Sequence, residues 1–370
     1  MSPPHNSELA WAKPLSIDLL IKVLNVTFLH PFVAWMIPLC MRAQATPWTD
    51  PAMQVALGYA SFLTLMFFLG VLNRQIAYSK PRKVDLSEEV IVITGGASGL
   101  GLLIAEVYGM RGATVAVLDV KELESGEARG VSSYKCDIGD KEQLARVAVE
   151  IERDVSEYHL LPYIVANNFQ LGTPTILINN AAIVNGKSLL ELSISEIEKN
   201  FQVNLLSHFY TIKTFLPGMI RTGAGTIVTI SSILGQLPAA QLTDYCASKA
   251  AVTAMHKALV AELKSTAPNI KTILVTPGQL STPLFNGVQT PSSFFGPVLE
   301  PVDVAKEVIA TIDAGSSADL AMPFYSRWAD WVNVAPVGVQ ALLRKFWGID
   351  TAMRTFQGRK EGLAEKGSLI

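Results

Sequence analysis

The sequence predicts an α/β fold: a doubly wound parallel sheet with a hydrophobic membrane anchor on its N-terminal side. Three observations predict it. From about Glu88 onward, short apolar strand-like runs alternate with amphipathic helical stretches, the pattern of a parallel sheet covered by helices on both faces. A glycine-rich turn separates the first of these runs from the first such helix. Upstream, residues 51–73 carry no charged side chain, and about 20 apolar residues suffice to cross the hydrocarbon core as a helix.

Composition agrees. Apolar residues are 49 % of the 370, and charged residues are 17 %, against about 25 % in ordinary soluble domains. The net charge of −2 offers no basic face for nucleic acid, so no nucleic-acid partner is expected. Cys40, Cys136 and Cys246 are few, odd in number and scattered, which indicates neither a disulfide framework nor a metal site. A reducing compartment suits the globular part.

The chain divides into residues 1–83 as the anchor, 84–325 as the α/β domain and 326–370 as a C-terminal extension. The anchor run contains Phe62 to Leu69 and is bracketed by Asp50 and Arg74. It is too long for a usual buried core helix. Residues 23–41 form a second uncharged run, broken in character by Asn25, His30, Pro31 and Pro38, which spans, re-enters or lies at the interface. A cleaved signal peptide fits poorly, because the run starts late and lacks a small-residue cleavage site. Arg74, Lys80, Arg82 and Lys83 follow the second run, Lys13 and Lys22 precede the first, and the connection from Arg42 to Asp50 is nearly neutral. Positive residues stay cytoplasmic, so the expected arrangement is a hairpin with both ends, and the following domain, in the cytosol.

In the α/β domain, Val90 to Ile93 reads as a buried strand, and Leu103, Ile104, Val107 and Tyr108 as a helix face. Further strands are expected at Thr114 to Leu118, Thr175 to Ile178, Gly225 to Ile230 and Ile270 to Val275. Residues 156–171 interrupt a helix-to-strand connection that normally takes about 2–6 residues. The segment is either a surface excursion or a translated intron. In the extension, Trp328, Trp331, Val334, Val337, Leu342, Phe346 and Trp347 are interspersed with Arg327, Arg344 and Lys345. That pattern suits a helix on a membrane surface, and equally a helix packed on its own domain.

The chemistry-bearing residues begin with Thr94-Gly95-Gly96-Ala97-Ser98-Gly99-Leu100-Gly101, between a strand and a helix. Glycines let the backbone turn tightly and approach a pyrophosphate, to which the helix N-terminus offers free N–H groups. Asp119 follows at the end of the next strand. A carboxylate there accepts from an adenosine ribose 2′-OH and repels a 2′-phosphate, which favours NAD(H) and leaves NADP(H) possible through Lys121. In Tyr245-Cys246-Ala247-Ser248-Lys249, Tyr and Lys four apart share a helix face. A neighbouring ammonium favours the phenolate and draws a phenol's pKa of about 10 toward working pH, equipping the Tyr for acid–base work. Ser231 and Ser232 close a strand 13 positions upstream, where a hydroxyl reaches the crevice at the sheet's C-terminal edge. Asn204, on an apparent helix, can hold a water for a proton relay.

Taken in order, Thr94-Gly95-x-x-x-Gly99-x-Gly101, Asp137, Asn179-Asn180-Ala181, Asn204, Ser232, Tyr245-x-x-x-Lys249 and Pro277-Gly278 resemble the short-chain dehydrogenase/reductase superfamily. The likeness covers residues 90–282 and extends to about 357. It implies a Rossmann-type domain in which Ser232 orients the substrate oxygen and Tyr245 transfers the proton. Lys249 would lower the Tyr pKa and bind the nicotinamide ribose, and Asn204 would complete the relay. For the cofactor it implies Gly95, Ser98, Gly99, Leu100 and Gly101 at the pyrophosphate, with Asp137, Ile138 and Asn180 on the adenosine side. Pro277, Gly278, Leu280 and Thr282 would meet the nicotinamide. A homodimer is implied likewise. Ala182 departs from the family, which has Gly there; a methyl at positive φ would cost energy.

A finer resemblance is to the membrane-bound branch with retinol dehydrogenases and 17β-hydroxysteroid dehydrogenases of lipid droplets and endoplasmic reticulum. Phe201 to Phe209 and Phe215-Leu216-Pro217-Gly218-Met219 carry it. It implies residence on one or both of those membranes. No cation stands between Thr282 and Leu299, where Pro283, Leu284, Phe285, Val288, Phe294 and Phe295 are expected to cover a lipophilic substrate: a retinoid, a steroid or a long-chain alcohol. Two other readings stay open. One is an NADPH-dependent lipid biosynthetic reductase of the 3-ketosphinganine type. The other is a non-catalytic nucleotide-binding protein of a lipid surface, against which the presence of all four catalytic residue types argues.

Overall fold

A computed structural model describes residues 16–126, 128–158, 173–288, 294 and 296–357. It forms two compact units, Met1–Tyr78 with Ser292–Pro297, and Ser79–Pro291 with Val298–Ile370.

The first unit is helical. α1 (Ile17–Val26) is capped by the Ser16 side chain, and α2 (Pro31–Ala43) by His30 with proline at its first position. α3 (Pro51–Ala77) is capped by Asp50, whose Oδ1 accepts from Ala52 N at 2.8 Å. The expected run at 23–41 is interrupted: the chain bends by 51° between α1 and α2, and only as a pair are they long and apolar enough to span. The proline at 31 gives the reason, since it starts a new helix where α1 has ended. α3 is long and apolar enough alone, and Arg74 is its one charged residue. Ala56 and Ala60 are buried one turn apart, so α2 approaches closely, and Trp35 Nε1 donates to Thr64 Oγ1 at 2.9 Å.

The second unit holds a seven-stranded sheet, all parallel, in the order β3-β2-β1-β4-β5-β6-β7. Its strands are β1 (Val90–Thr94), β2 (Thr114–Asp119), β3 (Val131–Lys135), β4 (Ile176–Asn179), β5 (Gly225–Ile230), β6 (Ile270–Pro277) and β7 (Ala318–Met322). β1, β4, β5 and β6 are buried at every position, which is why they read as mainly apolar runs. Covering one face are α4 (Gly99–Met110) and α9 (Pro301–Asp313), on a core that includes Ile91, Ile93, Ile104 and Val308. α5 (Lys141–Tyr158), α7 (Ser207–Thr222) and α8 (Thr243–Thr266) cover the other, on Val92, Leu118, Leu144, Phe215 and Ile227. Most of the 156–171 segment, from residue 159 on, lies outside the described residues.

Two strands carried no signal. β3 reads Val-Ser-Ser-Tyr-Lys and β7 reads Ala-Asp-Leu-Ala-Met, and they form the two edges of the sheet. An edge strand is only partly covered and needs no apolar run.

Arg82, expected among the cations flanking the anchor, belongs instead to the base of this sheet. Its guanidinium pairs with Glu89 through two bonds, 2.6 and 3.0 Å, and its Nε donates to Thr226 at the start of β5. Thr175 donates to the same carboxylate from just before β4. Both charged groups are nearly inaccessible, 9 % and 5 % exposed. Removing one partner of a buried pair strands the other charge. Glu89→Ala is therefore expected to lower the unfolding free energy by about 3–5 kcal/mol in a denaturant titration, and Arg82→Met added to it to recover part of the loss.

Candidate active site

β1 and β4 are neighbours from which the chain departs in opposite directions, so a crevice opens beyond their C-terminal ends. The glycine-rich loop enters it directly after β1. Gly95 adopts φ +64°, and a Cβ there would lie 2.6 Å from the Ala181 backbone. A Cβ on Gly101 would lie 2.5 Å from the Gly95 carbonyl oxygen. Both are glycine because the loop packs against its neighbours through bare backbone. Ser98 begins α4 without a side-chain cap, which leaves the first-turn N–H groups open to an anion. Leu100 turns its side chain into the core, so what it offers a ligand is its backbone.

Asn180 has a structural duty. Its Nδ2 donates to the Gly95 and Thr94 carbonyls at 2.7 and 3.3 Å, and Thr94 Oγ1 accepts from the Asn180 N–H, so the loop is stapled to the end of β4. Ala182 is not at positive φ, so its methyl carries none of the strain expected there. Asp119 accepts from Ala97 N at 3.0 Å and Lys121 N at 3.1 Å, bracing the loop. Asp137 accepts from Gly139 N and pairs with Lys199 Nζ at 2.6 Å, while the Ile138 side chain is 5 % exposed in the core. Facing the loop is the segment after β6. Gly278 N donates to Met322 O, Leu280 bridges to Leu299, and the Thr282 methyl stands 3.6 Å from where Gly99 would carry a Cβ. Pro277, the last residue of β6, starts this segment at the sheet edge.

Ser232, Tyr245 and Lys249 converge on this crevice. Ser232 follows β5 and its Oγ accepts from Leu234 N at 3.1 Å. Tyr245 and Lys249 lie one turn apart on α8, both buried. Burial pushes the Tyr245 phenol up, and a hydrogen bond with Ser232 opposes that rise. The Lys249 Nζ donates to Ile230 O at 2.8 Å, stands 5.9 Å from the Tyr245 ring centre, and is itself brought down to about 8 by desolvation.

Asn204 sits in a wide π-type turn, Gln202–Leu206, joining α6 (Ile194–Phe201) to α7. Its Oδ1 accepts from Ile183 N at 2.8 Å. Its Nδ2 faces Ile183 O, Asn200 Oδ1 and Ser248 Oγ at 3.0 to 3.2 Å. The side chain thus clamps the post-β4 loop to α8.

The Tyr245 ring lies in an apolar cluster. Phe285 meets it edge-on at 5.6 Å, and Val184, Val288, Ile349, Met353 and Phe356 complete the wall. Phe285 and Val288 were expected. Val184 and the three residues from the extension carry no sequence signal, because each reaches the wall from a loop or short turn without periodicity. Phe294, also expected on the cover, belongs to the other unit, where its carbonyl accepts from Ile17 N. Residues 289–293 and 295 lie outside the described residues.

The comparisons agree with the fold and the motifs. The short chain dehydrogenase family profile matches residues 89–292. The chain belongs to that family and is an NAD(P)-dependent oxidoreductase of the short-chain type. Among curated proteins it is similar to the bovine short-chain dehydrogenase/reductase family 16C member 6. Identity is 31 %, over 84 % of this chain and 96 % of that protein. The mouse epidermal retinol dehydrogenase 2 is 32 % identical over 76 % and 89 %. A solved short chain dehydrogenase from Burkholderia cenocepacia shares the fold with a TM-score of 0.55. It is 23 % identical, over 71 % of this chain and 99 % of its own.

Two buried histidines lie below the site. Desolvation brings His208 down to about 3 and His256 to about 4, from 6.5 in the unfolded chain. Their folded values lie below the unfolded one, so stability is full above pH 6.5 and is lost as pH falls toward 4. The urea midpoint should drop between pH 7 and pH 5, and His256→Gln should shrink the drop. An equal drop in the variant would mean that other groups set the acid limit.

Proposed function

We propose that this protein transfers hydride between NAD(H) and a lipophilic alcohol, ketone or aldehyde of the retinoid, steroid or long-chain class. We place it on the cytosolic face of the endoplasmic reticulum or lipid droplets, as a homodimer. One observation carries the reading: the Ser232 and Tyr245 hydroxyls face each other beneath a wall of apolar side chains. An apolar wall excludes water and accepts hydrocarbon, while two hydroxyls suffice to hold one carbonyl oxygen. The name of the mouse relative, a retinol dehydrogenase, supports the lipophilic class. The apolar length of α3 supports a membrane anchor.

The residues present fit a dinucleotide. The uncapped start of α4 would hold the pyrophosphate, and Asp119 keeps carboxylate lone pairs free for a ribose 2′-OH after bracing the loop. Bound there, the cofactor supplies or accepts the hydride at its nicotinamide. Ser232 orients the substrate oxygen. Tyr245, held protonated by burial, donates its proton in reduction and recovers it in oxidation. Lys249, with its charge in balance near pH 8, binds the nicotinamide ribose and returns a proton to the tyrosine. Asn204 keeps α8 in register with the post-β4 loop and completes the proton relay.

The direct test is turnover by detergent-solubilised protein, with NAD and NADP each offered retinol, a hydroxysteroid and a long-chain alcohol. Turnover of one lipid with NAD is the expected result; none with any pair would overturn the proposal. Tyr245→Phe should lower kcat by about 10²-fold or more while the Kd for NADH, read by its fluorescence, stays within a factor of two or so. Unchanged turnover would remove Tyr245 from proton transfer. Asp119→Ser should cut the preference for NAD over NADP by roughly 10-fold or more, the scale of one charge-assisted hydrogen bond, in the ratio of kcat/KM values.

A further inference from the structure

The C-terminal extension closes the apolar wall over Tyr245 and yet leaves a large apolar surface uncovered. Before the wall it forms a short 3-10 turn, Phe324–Trp328, then α10 (Ala329–Val332) and α11 (Val337–Phe346). No residue of α11 is buried. Val334 and Val337 are 80 % and 81 % exposed, Phe346 74 %, Leu342 69 % and Trp331 67 %. Trp328 and Trp331 meet at a tilt of 52° with ring centres 6.2 Å apart.

This piece is nonetheless held in place. Ala329 is buried against Ile233 and Leu237, in the loop that follows Ser232. Asn333 Nδ2 donates to Gln236 O at 2.9 Å, and Gln340 Nε2 closes the α10–α11 turn on Ala335 O at 2.7 Å. Ala329 and Val332 thus pack on the catalytic unit beside the Asn333 bond, while Val334, Val337, Leu342 and Phe346 are left exposed. Directly after α11, Ile349–Thr355 returns to the pocket, where Met353 and Phe356 meet the cluster around Tyr245.

We propose that α10 and α11 seat on the bilayer surface as a second membrane contact, so that the pocket wall they lead into opens toward lipid. This rests on the anchor reading above. Three features choose a bilayer over a second copy of the chain. From Arg327 to Asp350 stand three cations, Arg327, Arg344 and Lys345, and two acids, Asp330 and Asp350; Arg344 pairs with Asp350, and the exposed Arg327 and Lys345 can meet anionic headgroups. Paired tryptophans at the edge of an apolar face suit the headgroup level of a membrane. And α3 ends at Ala77, with the catalytic unit beginning at Ser79, so a spanning α3 delivers that unit to a bilayer.

The test uses the full chain with Cys40→Ser, since Cys136 and Cys246 are buried and Cys40 alone is exposed. A nitroxide is placed at Leu342→Cys or Val337→Cys on the apolar face, at Leu65→Cys on α3, and at Lys306→Cys on the exposed side of α9. The protein is reconstituted in phosphatidylcholine–phosphatidylserine vesicles, and power saturation compares collision with oxygen against a nickel chelate. Oxygen should dominate at 342, 337 and 65, and nickel at 306. Nickel dominating at 342 and 337 but not at 65 would overturn the second contact and leave the anchor standing. Nickel dominating at 65 as well would overturn both readings. Spin–spin broadening at 342 would show a second copy on this face and overturn the bilayer seat.

Discussion

The parallel pairing of β1 with β4 is the constraint on which the rest depends. Register partners Ile91↔Ile176 through Thr94↔Asn179 bring the ends of these strands level. The chain leaves one toward β2 and the other toward β5, so no helix can cover the gap between their exits. What fills that gap is backbone: Gly95 against Ala181, and Gly101 against Gly95. Asn180 bonds across it, which fixes the loop before any ligand arrives. A site assembled this way is rigid where a pyrophosphate must be gripped, and its rigidity comes from hydrogen bonds that a side-chain change cannot easily imitate.

Beneath the crevice the core changes character. On the face covered by α7 and α8, the middles of the strands present Val92, Leu177 and Ile227, but their C-terminal ends present Thr94, Asn179, Thr229 and Ser231. Asn179 and Thr229 are register partners. Thr211 of α7 bonds the first at 2.8 Å, and His256 of α8 bonds the second at 2.8 Å. The Ser231 and Thr253 hydroxyls bond each other at 2.7 Å, and one of them donates to the Lys249 carbonyl, which lies within 3.1 Å of both. A polar floor of this kind holds α8 at one register on the sheet, and that register decides where Tyr245 and Lys249 stand. Its cost is acid sensitivity, because both histidines are kept neutral by the same burial.

How much of this was legible follows from which forces leave a trace in sequence. Burial on both faces writes an apolar run, so five strands were readable, whereas β3 and β7 at the edges were not. Functional spacing wrote Ser232, Tyr245 and Lys249, and the structure brings them together. Side-chain roles set by tertiary partners wrote nothing. Arg82 looked like a membrane-flanking cation and proved to be half of a buried ion pair with Glu89. Asn204 also clamps the backbone of Ile183, a duty its place in the motif does not announce. The balance of burial against a nearby ammonium at Tyr245 depends on where the Lys249 Nζ points, which no motif encodes. Met353 and Phe356 reach the pocket only because the extension folds back more than 100 residues downstream of Tyr245.

The apolar surfaces of the chain divide by what can cover them. The Tyr245 wall is closed by the protein itself, so its greasiness is informative about a ligand only at the face left toward the crevice. On α3, residues such as Phe62, Phe67 and Phe68 stay more than half exposed although α2 lies alongside, an apolar surface that fits a membrane anchor. With α3 seated in a membrane and a lipophilic substrate, as proposed, the substrate would meet this enzyme at high local concentration, and binding would not need to draw it from water. Under that arrangement the pocket has to discriminate by where the hydroxyl sits relative to Ser232 and Tyr245 rather than by total hydrophobicity, which membrane lipids all share. Under the proposed function the two hydroxyls would be the specificity element as well as the chemical one.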